Sequence, residues 1–182
     1  DKGSGNTCYD SSGNGIDINR VLHEQQPTWA SSCYFYNGLY FNDDRIRASH
    51  ATAFKFLNAD DWQIDVVFKF TGSAPSGNKV FNGRHVNACW WVGTDGGTGK
   101  LTFWATDSDN VDGNIVGTTS VYDDTWYKAS FVRDGNSNQI KIYLDENLQN
   151  SASPGYTGEF NGATSLDIGW YATGQFPLYA LD

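Results

Sequence analysis

The 182-residue chain contains no Met, 4 Pro, 3 Cys and only three Glu (Glu24, Glu146, Glu159) against 18 Asp. Lys and Arg number 12 against 21 acids, leaving a net charge of -9. Each shortage excludes something. Too few cations remove the basic face that nucleic acid or an anionic membrane would need, so neither is expected as a partner. The cysteines form no Cys-x-x-Cys, so a zinc site is not expected. Glu, Lys, Leu and Met fill helices, and their scarcity argues against a helical fold. No apolar run approaches the ~20 residues of a membrane-spanning helix. With no Met and no signal-peptide pattern at its start, the chain is expected to be a processed product or a piece of a longer polypeptide.

What is abundant points one way. The 20 Gly, with the many Asp, Asn and Ser, are turn formers. Aromatics reach 15%, with 7 Trp, 10 Tyr and 11 Phe, enough for a core, a ligand surface, or both. Residues 1–15 are almost wholly polar and read as loop. Beyond them, short apolar-alternating runs recur about every ten residues with turns between, the rhythm of an all-β sandwich.

The clearest strand is Trp62 to Phe70, with Trp62, Ile64, Val66, Phe68 and Phe70 on one face and Gln63, Asp65, Val67 and Lys69 on the other. Asn87 to Thr94 and Lys100 to Thr106 flank a Gly-rich turn, and Trp126 to Arg133 and Gln139 to Leu144 flank another, giving two hairpins. Shorter strands are expected at Ile16–Leu22, Ser32–Tyr36, Leu39–Phe41, Ile46–Ala48, Asn114–Ser120, Ser165–Trp170 and Phe176–Leu181. No repeat, linker or domain boundary shows, so residues 1–182 are read as one domain.

Four stretches, in order along the chain, carry a family resemblance. They are Asp10-Ser-Ser-Gly-Asn-Gly15, Gly38-Leu-Tyr-Phe-Asn-Asp-Asp-Arg-Ile-Arg47, the hairpin Thr125 to Asp145, and Ser165-Leu-Asp-Ile-Gly169. Together they resemble the laminin-G-like branch of the concanavalin A-like lectin/glucanase superfamily. That resemblance implies a two-sheet antiparallel jelly-roll sandwich and an extracellular or surface-associated module. It lacks the branch's usual first and last strands, and a sandwich without them would expose open sheet edges.

Catalysis finds little support. Retaining glycosidases need two carboxylates about 5 Å apart. The family's Glu-bearing strand has its nearest counterpart at Gln63 to Phe68, which keeps Asp65 but carries Gln63 and Phe68 in the Glu positions. His23, His50 and His85 show no metal-ligand spacing. Cys8 and Cys33, both near the N-terminus, are expected to pair, because the resemblance is to extracellular modules. Such a ring would contribute about 3 kcal/mol. Cys89 stands outside that pair. Reduced cysteines in a cytosolic protein are the alternative.

Sugar binding in such sandwiches stacks aromatic faces on pyranose C–H patches. Period two puts Trp90 in phase with the core residues Ala88 and Val92, and Trp91 and Trp104 on the opposite faces of their strands. Trp91 and Trp104, with Thr102 and Thr106, are therefore the expected carbohydrate-binding residues. Trp126 is a further out-of-phase ring, and Trp29, Trp62 and Trp170 read as structural. The oxygen-rich stretch Asp107-Ser-Asp-Asn-Val-Asp-Gly-Asn114 offers Asp107, Asp109 and Asp112 as a candidate calcium site, and Asp10 is a second candidate. A solvated acidic loop is the plainer reading of both.

The first expectation is a non-catalytic carbohydrate-binding or adhesion module whose partner is a glycan or polysaccharide, with calcium as its candidate cofactor. The second is a structural module of a surface fibre, viral appendage or extracellular filament, joined to neighbouring subunits through open edges. A polysaccharide-cleaving enzyme ranks third.

Overall fold

A computed structural model describes residues 7–8, 18–19, 28–30, 38–41, 46–49, 55–70, 79–84, 88–162, 165–169 and 178–179. Its strands are β1 (Thr7–Cys8), β2 (Ile18–Asn19), β3 (Thr28–Ala30), β4 (Gly38–Phe41), β5 (Ile46–Ser49), β6 (Trp62–Lys69), β7 (Lys79–Arg84), β8 (Trp90–Thr94), β9 (Lys100–Thr106), β10 (Asp112–Ser120), β11 (Trp126–Asp134), β12 (Gln139–Leu144), β13 (Asn147–Ala152), β14 (Ser165–Ile168) and β15 (Leu178–Tyr179). They form a six-stranded sheet in the order β10-β9-β8-β7-β14-β5 and a seven-stranded sheet in the order β13-β12-β11-β6-β15-β4-β3. A two-stranded ribbon pairs β1 with β2, so part of the stretch read as loop is strand. All the strand pairings are antiparallel.

The alternation read in the sequence makes the core. Trp62, Val66, Phe68 and Phe70 point inward from β6 and its C-terminal end, beside Ala129 and Phe131 of β11 and Ile140, Ile142 and Leu144 of β12. They meet Trp90 and Val92 of β8, Leu101, Phe103 and Ala105 of β9 and Ile115 of β10. At one end of this core, Trp62 stacks on Phe56 (5.0 Å between centroids) and on Trp90 (6.1 Å). Such ring pairs contribute about 0.5–1.5 kcal/mol beyond their area burial.

One polar group is enclosed with these rings. The Arg133 side chain, 1% exposed, gives Nη1 to Asn138 Oδ1 (2.9 Å) and Nη2 to the Asn58 carbonyl (3.0 Å) and Asn58 Oδ1 (2.7 Å). Its guanidinium lies 5.6 Å from the Tyr156 ring centroid and 5.7 Å from that of Phe160. Burial draws its pKa down, opposed by Tyr156, Asp134 and Asp61. Two of the acids beside turns act as turn formers: Asp60 Oδ2 accepts Leu57 N (2.7 Å) and Asp123 Oδ1 accepts Thr125 N (3.2 Å).

Candidate functional site

The β8–β9 register brings the two expected platform rings together. Trp91 faces Trp104 directly across the strand pair, and their rings stack with centroids 6.3 Å apart and 25° between planes. They lie on the outer face of the six-stranded sheet, away from the core to which Trp90 belongs. The register continues to Asn114 of β10, which faces Trp104 and is exposed.

Exposure departs from the expectation. Trp91 is only 6% exposed, whereas Trp104 is half-buried. Period two tells which side of a sheet a residue is on and says nothing of what covers that side. Strand β8 lies inside its sheet, between β7 and β9, and the stacked Trp104 is one of the groups that cover Trp91. The expected open pair is therefore one accessible indole, Trp104, backed by a buried one. Thr102 also departs from expectation: it is 1% exposed, and its hydroxyl is directed at the Ile115 carbonyl (3.3 Å) and Asn114 Oδ1 (3.4 Å). It is committed to the β9–β10 pairing, not to a ligand. Thr106 is half-buried and donates its hydroxyl to Asp112 Oδ1 at the exposed end of the same hairpin. Trp126 lies on the seven-stranded sheet, 5.9 Å beneath the Lys69 ammonium, and joins neither tryptophan.

The acidic loop is built for another task. Asp107 is fully buried. Its Oδ1 accepts Asp109 N (2.9 Å) and Val111 N (2.8 Å), and its Oδ2 accepts Thr157 N and Gly158 N (both 2.8 Å). Burial pushes its pKa up, but the four backbone N–H groups outweigh that and hold the carboxyl below its ordinary value. All four lone-pair sites are thus taken by donors, which corrects the reading of Asp107 as a calcium ligand. Asp109 Oδ2 accepts the Thr157 hydroxyl (2.9 Å), and Asp112 is engaged with Thr106. Among the described residues no group of three His, Cys, Asp or Glu side chains could hold a metal ion. The loop closes through Asn110, whose φ of 63° is a conformation Asn tolerates better than most residues. Asp10, the Cys8–Cys33 pairing and the three His lie outside what is described.

The β6 carboxylate is likewise occupied. Asp65 accepts Gln63 Nε2 at both oxygens (2.9 Å each) and the Ser130 hydroxyl (2.5 Å) on the outer face of the seven-stranded sheet. Asn114, expected in the oxygen-rich stretch and not among the carbohydrate-binding residues, stands beside Trp104 on the outer face. Its signal was the β10 alternation, which sets Ile115 inward and its neighbour outward.

No family model matches the chain, and neither does any curated protein. Solved structures do. The binding domain of Paraclostridial Mosquitocidal Protein 1 superposes with a TM-score of 0.77 at 11% identity, over 98% of this chain and 48% of that one. The botulinum neurotoxin serotype G binding domain gives 0.71 at 16% identity, over 95% and 44%. The serotype D ligand-binding domain, solved in complex with N-acetylneuraminic acid, gives 0.70 at 11%, over 95% and 43%. Identities this low carry the fold alone: an all-β, two-sheet antiparallel sandwich of the concanavalin A-like kind. The chain spans a little under half the length of these binding domains.

Proposed function

We propose that the chain is a non-catalytic glycan-binding or adhesion module of an extracellular protein, with the Trp104 indole as its stacking surface. The observation that carries this reading is a half-buried indole on an outer sheet face, braced by a buried stacked ring and bordered by the exposed side chains of Asn114 and Asp112. A braced ring loses little freedom on binding, and an indole face suits the C–H patches of a pyranose. Asn114 supplies amide groups, and Thr106 with Asp112 supplies hydroxyl and carboxylate oxygens, the types that read sugar hydroxyls. Two supports come from outside the chain. The matched structures are binding domains of toxins, and one of them was solved with a sialic acid.

The laminin-G-like assignment is part of this proposal, as are the extracellular location and the single-domain reading. A glycan array spanning plant, algal, bacterial and animal sugars, run with and without calcium, tests it. Binding to at least one glycan class is expected. Silence across the array in both conditions removes the reading, and a signal that requires calcium restores a metal site to it. Release of reducing ends or of unsaturated products from the same glycans would move the chain to the enzymes.

A further inference from the structure

The sheet edges meet on one side of the sandwich. β10 ends the six-stranded sheet and β13 ends the seven-stranded one, and both carry irregular register. On β13, Asn150 faces Ile142 while Leu148 faces Tyr143, so Gln149 is an extra residue. On β10, Val116 faces Thr102 and Ser120 faces Lys100, four positions against two. These are bulges, and bulges turn side chains out of phase and interrupt pairing.

The two irregularities mesh. Gln149 Oε1 accepts the Thr118 hydroxyl (2.9 Å) and Thr119 N (3.2 Å). Asn150 Nδ2 donates to the Val116 carbonyl at 2.8 Å. A Cβ at Gly117 would sit 3.3 Å from Gln149 Cβ, so the approach is close. The chain then continues along the same edge. A Cβ at Gly113 would sit 2.6 Å from Pro154 Cβ and 2.2 Å from the Tyr156 hydroxyl. Thr157 N and Gly158 N reach Asp107 (2.8 Å each), and Ser108 N donates to the Glu159 carbonyl (2.9 Å). Residues 149 to 159 therefore run antiparallel to the span from Thr119 back to Asp107, held by side chains and loop contacts in place of a strand ladder. Pro154, which has no N–H, suits such a run.

An uncovered edge strand presents unpaired N–H and C=O groups to any other strand. Here the Val116 carbonyl and the Thr119 amide are taken by amide side chains. We propose that residues 147–160 are a strap that closes the β10 edge to strand addition, with Gln149 and Asn150 as one fastener and the Asp107 carboxylate as the other. The occupant it excludes is a strand from a second copy of this chain. The role is independent of glycan binding, and it closes, at this edge, the route by which a filament module would accept a neighbour's strand.

The test uses the full chain with Gln149→Ala and Asn150→Ala combined. Light scattering after size exclusion is recorded over a hundredfold concentration range, with hydrogen exchange of residues 112–120 at each end of it. The unaltered chain should show slow exchange there at every concentration. The double variant should exchange about tenfold faster or more when dilute, form larger species when concentrated, and regain protection in 112–120 as it does so. Adding Thr118→Lys, a charge on the freed edge, should return the mass to that of the unaltered chain. An unchanged mass profile with unchanged exchange overturns the proposal. Faster exchange without association also overturns it, since the strap would then be packing only. Should the double variant fail to fold, Gln149→Ala alone answers the same question through the same two readouts.

Discussion

Replacing Asp107 by Asn changes one atom and removes the charge from a fully buried carboxylate that accepts four backbone N–H groups. An amide keeps one acceptor oxygen, enough for two of the four donors. Its NH2 then faces the other two, donor against donor. Hydrogen bonds to a charged group contribute about 1.5–3 kcal/mol each, and a buried donor left unpaired costs about 1–3 kcal/mol. With some relaxation, Asp107→Asn should lose about 3–5 kcal/mol, the range for breaking a buried charged contact. For a domain of this size that lowers the melting temperature by roughly 10–15 °C. Urea titration followed by tryptophan fluorescence reads the loss as a lower midpoint at constant slope. The acid limb gives an independent check. Because the folded carboxyl titrates below its ordinary value, its contribution is complete above the ordinary carboxylate range and is lost as pH falls through the lowered folded value. The variant's stability should therefore fall less steeply in that window. A loss under about 1 kcal/mol, or an unchanged acid limb, would refute the assignment of Asp107 as the tie between the β9–β10 turn and the 157–158 segment.

Two further outcomes follow from packing. Trp90→Ala and Trp91→Ala should each cost about 3–5 kcal/mol in urea, since both rings are buried, while Trp104→Ala should cost about 1 kcal/mol. A Trp91 variant as stable as the unaltered chain would show that its ring does not contribute to the fold. Gly135→Ala places a Cβ 2.3 Å from the Ala59 carbonyl oxygen, a backbone atom that cannot rotate away. It should cost about 1–3 kcal/mol, and a neutral result in thermal melts would mean that the 57–60 turn yields easily.

How much of this was legible in the sequence depends on which force shaped each part. Strands β9 and β12 were read with the bounds the structure shows, and β6 and β11 to within a residue, because one face of each lies on the core and period two reports that directly. The hairpins at residues 95–99 and 135–138 were equally plain from turn chemistry. Strand β13 left no trace: Asn147 to Ala152 is almost wholly polar, since an edge strand held by amide bonds to a neighbour needs no apolar stripe. Strand β7, Lys79-Val-Phe-Asn-Gly-Arg84, breaks alternation with a Gly and was missed for that reason. At the site, the side of the sheet was legible and its cover was not. Trp91 and Trp104 were placed on one face and do stack, but only one of the two is accessible. The loop from Asp107 looked like a cation site because its oxygens are local in sequence. Two of the donors that fill them come from Thr157 and Gly158, about fifty residues on, where no spacing rule reaches.

The recognition claim rests on one ring, so the affinity of the Trp104→Ala variant for the strongest glycan found on the array is its most direct test. Stacking on a single aromatic ring is worth about 1–3 kcal/mol by the scale set for nucleic-acid bases, or roughly a 5- to 150-fold weaker dissociation constant. That loss is expected by titration calorimetry, with circular dichroism like that of the unaltered chain and the urea midpoint lowered only by the ~1 kcal/mol expected for a half-buried ring. An affinity unchanged by removal of the ring, in a variant shown to be folded, would contradict the account and take the binding face away from Trp104.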